Sequence, residues 1–263
     1  MGAVDYDAIA ANYDRRYAVS DYSQVQAALL DFVGNIRHGR ALEVGCGTGH
    51  WLRALGDAGV RVAGVDRSSN MLQYARTRVP SSVLVRATAE RLPWRDAAFE
   101  RLYCVNALHH FDDKPGFIDE ARRVLAAGGR LLTIGLDPHI GTDRWFIYDY
   151  FASVLEIDRR RYPSTQRVRE WLRDAGFIDV HTRTVQHLPT RLSAGPAVDG
   201  GRLAKHMTSQ LAILSDEQYQ EGLQQIRTAM HEADTRGETL WLTADVSLYG
   251  TYASAPRRWP PSR

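Results

Sequence analysis

The chain has almost no cysteine, no long apolar run and no strong excess of either charge. Two cysteines among 263 residues cannot build a disulfide framework. Cys46 lies in a glycine loop and Cys104 in a predicted strand, so both read as small, reduced core residues in a cytoplasmic protein. No stretch approaches the roughly 20 apolar residues of a membrane span. The segment Met1–Arg16 is acidic and polar rather than like a signal peptide, so no membrane partner is expected. A formal net charge of +2, without a basic stripe, gives no footprint for nucleic acid. The nine histidines and two cysteines show no metal-ligand spacing, so no metal is expected. There is no internal repeat. What remains is ordinary for a globular domain: 44% apolar residues to fill a core and 24% charged residues to cover it.

The stretch around which the chain is organised is Ala41-Leu42-Glu43-Val44-Gly45-Cys46-Gly47-Thr48-Gly49-His50-Trp51. Apolar residues run into three alternating glycines, and a helical pattern opens at once. Such a strand-to-helix turn brings bare N–H groups and a helix N-terminus to one point, where a ligand can approach closely. A dinucleotide fingerprint, G-x-G-x-x-G, would need glycine where His50 stands. The pattern is E-x-G-x-G-x-G, and a carboxylate at Glu43 would repel a pyrophosphate but suit an ammonium group and ribose hydroxyls. Downstream, Arg61-Val62-Ala63-Gly64-Val65-Asp66 reads as a second strand ending in an acid. In a doubly wound sheet Asp66 then stands at the ligand-binding end, beside the glycine turn. The other reading of Asp66 is a helix cap, although Ser68 and Ser69 already supply capping hydroxyls.

Five strand–helix alternations up to residue 135 argue for a parallel sheet. Further expected elements are a helix at 21–36, strands at 82–86 and 100–105, a helix at 115–126 and a strand at 130–135. The second half carries an aromatic-rich helix over 143–157, a helix at 165–175 and a strand at 177–186. A helix near 201–212 follows, then one from Ser215 to about 233 opened by the capping box Ser215-x-x-Gln218, and a last strand at 239–252.

These features together resemble the class I S-adenosylmethionine-dependent methyltransferases of small-molecule type, similar to those of ubiquinone and menaquinone biosynthesis. The glycine loop resembles their motif I. Ala87-Thr88-Ala89-Glu90-Arg91-Leu92-Pro93-Trp94 resembles their G-D-A-E-x-L-P-F segment, with Thr88 where the family has an Asp facing adenine. Leu108-His109-His110 resembles the end of motif IV, and Asp5–Tyr17, with its Y-D-x-x-A-x-x-Y-D pattern, resembles the family's N-terminal segment. The resemblance is specific over about 5–135 and topological beyond.

It implies a Rossmann-like, mostly parallel seven-stranded sheet, order 3-2-1-4-5-7-6, with the last strand antiparallel. A single domain over 1–255 is expected: an N-terminal helical flap at 1–38, a cofactor core at 39–135 and a substrate half at 136–255, in which the long insertion at about 187–233 reads as a lid. Residues 256–263 are then a frayed tail. The implied cofactor is S-adenosyl-L-methionine, leaving as S-adenosyl-L-homocysteine, and the implied partner a small-molecule methyl acceptor; the oligomeric state is not implied. Glu43, Gly45, Cys46 and Gly47 would hold the methionine portion and Asp66 with Arg67 the ribose. Met71, Thr88, Ala89 and Glu90 would hold adenine, Val105 would lie near the methyl, and Tyr13 or Tyr17 would close over the sulfonium. His110 and His109 are the candidate bases for an O- or N-methylation, with His139, His187 and His206 as alternatives in the substrate half. A non-catalytic binding protein of the same fold is the other reading.

Overall fold

A computed structural model describes residues 6–34 and 40–257. The chain divides into two compact units. The sheet unit comprises Tyr22–Asp137, Tyr162–Gln186 and Leu248–Arg263, and the helical unit Met1–Asp21, Pro138–Arg161 and His187–Ser247.

The strands are β1 (Arg40–Val44), β2 (Arg61–Asp66), β3 (Val83–Arg86), β4 (Phe99–Val105), β5 (Leu125–Gly135), β6 (Arg144–Trp145), β7 (Ile178–Ser193) and β8 (Trp241–Ser254). Their order is β3-β2-β1-β4-β5-β8-β6, with β7 also paired to β8. From β3 through β5 all neighbours are parallel, and β8 lies antiparallel to β5. The expected order 3-2-1-4-5-7-6 therefore holds for the long strands. The two-residue β6, paired to β8 at Trp145 and Ala244, is an addition.

Burial on both faces explains why the central strands read as apolar runs. Leu42, Leu102, Cys104 and Leu131 are wholly buried, and Phe117, Ile118 and Ala121 of helix Lys114–Val124 pack with them. That helix starts where the sequence places its cap: Asp113 accepts from the Gly116 N–H at 2.9 Å.

The second half departs from expectation in three places. The helix expected over 143–157 is two, Phe146–Tyr150 and Val154–Arg161, separated at Ser153 with φ +70°. The break lets Phe146, Ile147, Phe151 and Val154 all enter one core. Strand β7 does not stop at 186. His187–Leu192 continues the alternation of exposed and half-buried residues, and Pro189, which argues against a strand, falls at an exposed position. Residues 194–212 hold a helix at Ala194–Asp199, a 3₁₀ turn at Lys205–Met207 and one helical turn at Ser209–Ala212, not a single helix. The capping box at Ser215 is formed as expected and opens helix Asp216–Thr235. The N-terminal segment is three short turns, Tyr6–Ile9, Ala10–Asn12 and Arg15–Val19. Residues 1–5 and 35–38 of the expected flap, and 258–263 of the expected tail, lie outside the described residues.

Candidate active site

The three glycines after β1 all take left-handed backbone angles: φ +75° at Gly45, +50° at Gly47 and +78° at Gly49. At Gly45 space forbids a side chain as well, and at Gly49 it is tight. A Cβ on Gly45 would collide with Cβ of Ala107 beyond β4, and one on Gly49 would stand 3.2 Å from Cβ of Ala75. Gly45 thus brings the ends of β1 and β4 together, and Gly49 brings helix His50–Asp57 onto helix Ser69–Arg78.

Asp66 closes this turn from β2. Its Oδ2 accepts the Gly47 N–H at 2.8 Å and its Oδ1 accepts the Ser68 N–H at 2.9 Å. Ser68 Oγ in turn accepts the Met71 N–H at 3.0 Å, so the serine caps the helix and Asp66 braces the approach to it. The Arg67 N–H is a third backbone donor to this carboxylate, whose two oxygens together still have acceptor capacity left. Burial pushes the Asp66 carboxyl up from its ordinary range, and the backbone donors at Ser68 and Gly47 oppose that.

Glu43 lies beneath the loop, 1% exposed. The Tyr103 hydroxyl donates to its Oε2 at 3.4 Å. Burial drives its carboxyl well above the usual range, with the neighbouring Asp66 charge adding to the effect. Cys46 is buried and its thiol is likewise pushed up by burial. Its Sγ fills the space above Gly64 of β2, where an added Cβ would come within 2.8 Å.

Of the other residues expected at the cofactor, Arg67, Met71, Thr88, Ala89 and Glu90 follow the carboxyl ends of β2 and β3. The Ala87 N–H donates to Asp66 O at 3.2 Å, which sets the start of the 87–92 loop against β2. In that loop Thr88 is exposed, Ala89 buried and Glu90 half-buried. Glu90 Oε1 accepts the Asp113 N–H at 3.2 Å, linking the loop to the one after β4. Arg67 is exposed and reaches Asp112 at 4.0 Å. Met71 is 1% exposed, within the core of its own helix.

After Val105, which is buried, Asn106 takes φ +49° and donates its N–H to Ile134 O at 2.7 Å. Asn is one of the few non-glycine residues that take this left-handed conformation readily. His109 is buried, its ring stacked on Tyr162 at 3.9 Å and touching His110 at 3.8 Å; His110 is half-buried. A cavity of about 30 Å³, lined by His109, Tyr162, Thr133 and Thr251 among others, lies behind that ring. It has room for a water and hydroxyls to hold it.

Tyr13 belongs to the helical unit. There it meets Tyr6 and Tyr17 edge-on at 5.9 and 6.4 Å, and the Arg16 guanidinium lies 3.7 Å over its ring. In the same unit His187 Nδ1 is 3.2 Å from Ser247 Oγ.

Two supports were not expected from the sequence. Arg123 holds the 92–96 segment by donating to Leu92 O at 2.9 Å, Trp94 O at 2.7 Å and Asp96, while pairing with Glu120 at 2.7 Å. Glu120 also accepts the Leu92 N–H at 2.7 Å. The only visible signal is the i, i+3 spacing of Glu120 and Arg123. Tyr162 lies beyond the part where the resemblance is specific, so its stack on His109 had no signal at all.

Residues 42–133 match the family described as a methyltransferase domain. The chain is a methyltransferase that resembles the class I S-adenosylmethionine-dependent enzymes. Among relatives of this methyltransferase, the demethylmenaquinone methyltransferase of Geobacillus kaustophilus is 27% identical over 68% of this chain and 88% of its own length. That of Tropheryma whipplei is 33% identical over 48% of this chain and 55% of its own length. In fold the methyltransferase is similar to phosphoethanolamine N-methyltransferase 2 of Haemonchus contortus, whose structure holds phosphomonomethylethanolamine and S-adenosylhomocysteine. The TM-score is 0.62 at 18% identity, covering 97% of this chain and 60% of that one. The cofactor is S-adenosylmethionine, and the site fits it. A left-handed glycine turn presents backbone without side chains, its N–H groups at Gly45, Cys46 and Gly47 tied back to β2, and a ligand can approach closely there beside the carboxylate of Asp66. Among the described residues no group of histidine, cysteine and carboxylate side chains could hold a metal, and no helix is long and apolar enough to cross a membrane.

Proposed function

We propose that the enzyme transfers the methyl group of S-adenosylmethionine to a hydroxyl or amine of a small, partly apolar acceptor. The bond from Asp66 Oδ2 to the Gly47 N–H carries the reading, because it ties the acid of β2 to the glycine loop at the edge where both can face one ligand. In this reading Gly45, Cys46 and Gly47 receive the methionine portion through their backbone, with Glu43 setting the loop from below. Asp66, with Arg67 at its side, accepts from the ribose hydroxyls. Thr88 and the Ala89 N–H meet adenine, Glu90 fixes their loop, and Met71 supports that wall from the core. The sulfonium supplies the methyl; orientation within about 3 Å of the nucleophile is worth roughly 7–11 kcal/mol. Tyr13 offers a ring face to the cation, worth about 0.5–2 kcal/mol.

Of the paired histidines, His110 is the better proton acceptor, because His109 is held between Tyr162 and its neighbour. Val105 and Asn106 frame the transfer point. The relatives named demethylmenaquinone methyltransferases favour a quinol-like ring as acceptor. The domain plan follows: residues 39–135 bind the cofactor, and the helical unit, including 187–233, selects the acceptor.

The test is calorimetry with S-adenosylmethionine and S-adenosylhomocysteine, then labelled-methyl transfer to naphthoquinols and simple phenols. Tight uptake of NAD with no heat from either sulfur compound would end the proposal.

A further inference from the structure

Opposite the cofactor edge, where β1 to β4 begin, the sheet unit carries a groove of about 640 Å³. That volume is in the range of small-molecule sites. Its walls hold four arginines, Arg40, Arg53, Arg61 and Arg78, and one carboxylate, Asp57. Two of the arginines are accounted for. Arg53 pairs with Asp57 at 2.6 Å, and Arg78 donates to the carbonyl and hydroxyl of Thr48 at 3.1 Å, near the C-terminus of its own helix.

Arg40 and Arg61 are not. They open β1 and β2 and stand directly opposite each other in the parallel register, on strands about 4.8 Å apart. Like charges facing across strands repel. Neither guanidinium has a hydrogen-bond or ion-pair partner among the described residues; Glu100 Oε2 accepts from the Arg40 backbone N–H instead. Beside them the groove is apolar. Val83 is 59% exposed, the most of any large apolar side chain described, and Trp94 forms part of the wall.

We propose that this groove binds a small phosphate ester, with Arg40 and Arg61 forking its phosphoryl oxygens and its apolar body lying on Val83 and Trp94. Guanidinium pairs match phosphate geometry, and an anion between the two arginines converts their repulsion into attraction. The site lies a strand length, about 16 Å, from the glycine loop and is distinct from the methyl-transfer centre.

The full-length protein, saturated with S-adenosylhomocysteine to block the cofactor pocket, is titrated calorimetrically with phenyl phosphate, inorganic phosphate and phenol. Phenyl phosphate is expected to bind at one site at least tenfold tighter than inorganic phosphate, with no heat from phenol. R40Q/R61Q is expected to weaken it at least tenfold, and R40K/R61K to recover part of the loss. Because R61Q removes the repulsion, it should raise the thermal midpoint of the ligand-free protein and abolish the further rise that phenyl phosphate gives the wild type. Equal affinity in R40Q/R61Q, phenol binding as tightly as its phosphate, or sedimentation with phosphatidylglycerol vesicles without any uptake of phenyl phosphate would each overturn the proposal.

Discussion

The two units differ in what most of their acids hold. In the sheet unit main-chain donors dominate: Asp66 takes the N–H groups of Gly47 and Ser68, Glu90 that of Asp113, and Glu120 that of Leu92, although Glu120 also pairs with Arg123 and the buried Glu43 takes the Tyr103 hydroxyl. In the helical unit, Asp158 is wholly buried and grips side chains: Arg161 at 2.7 Å, the Tyr148 hydroxyl at 3.0 Å and Gln210 at 2.9 Å. A backbone donor stays in place whatever residue carries it, so the cofactor edge keeps its shape as neighbouring side chains change. A network of side chains is altered by any single member. Under the proposed division of roles, the main-chain contacts around Asp66 make the sheet unit the stiffer part, and the side-chain network around Asp158 makes the helical unit the part a few substitutions can alter.

The sharpest way to break this contrast is to remove Asp158. With Ala in its place Arg161 remains buried without its counter-charge, at an expected cost of about 3–5 kcal/mol. Urea unfolding gives the size, and hydrogen exchange gives the place. Protection should fall over 138–161 and 187–247, and a uniform loss across both units would count against their independence. Next is Gly45→Ala, which meets both a left-handed backbone and Ala107. About 2–4 kcal/mol of stability should be lost, with cofactor binding reduced beyond detection by calorimetry. Asp66→Ala should weaken S-adenosylmethionine about tenfold or more, about 1.4 kcal/mol, with a much smaller change in unfolding energy. Unchanged affinity would remove Asp66 from the site. The smallest effect is one of pH. Because burial raises the Glu43 carboxyl, its favourable protonated form is fully present below the ordinary value of 4.5 and its contribution fades as pH rises through the folded-state value. Glu43→Gln cannot ionise, so its melting point should gain on the wild type steadily from pH 5 to pH 8. A constant gap would show that Glu43 is already ionised in the folded protein throughout this range.

The same contrast explains what the sequence disclosed. The strands up to β5, the glycine turn, Asp66 and the caps at Ser68, Asp113 and Ser215 are local: each is written in a few adjacent residues whose backbone demands are known. The sheet order, with its antiparallel last strand, came from the family resemblance and not from the strands themselves. The split of 143–157, the run of β7 past Pro189 and the partners of Asp158 depend on what packs from far away. Phe151 is an example, seated against Gly222, where any side chain would strike its ring. In the site itself, Glu43 looked like a ligand-facing acid because strand-end position is visible in sequence, but its burial under Tyr103 is not. Tyr162, which fixes the ring of His109, sits 53 residues away in a segment with no motif to announce it.

Both thiols of this chain are shut away, Cys46 within the glycine turn and Cys104 near the end of β4, where burial holds its ionisation up at about 12. They form a built-in clock. Neither can react with a disulfide reagent until its surroundings part, so the labelling rate at Cys46 counts how often the cofactor turn breathes. Cys104 counts only wider unfolding of the sheet. Adding the methyl donor should slow the first count far more than the second, reporting occupancy without any dye or tag.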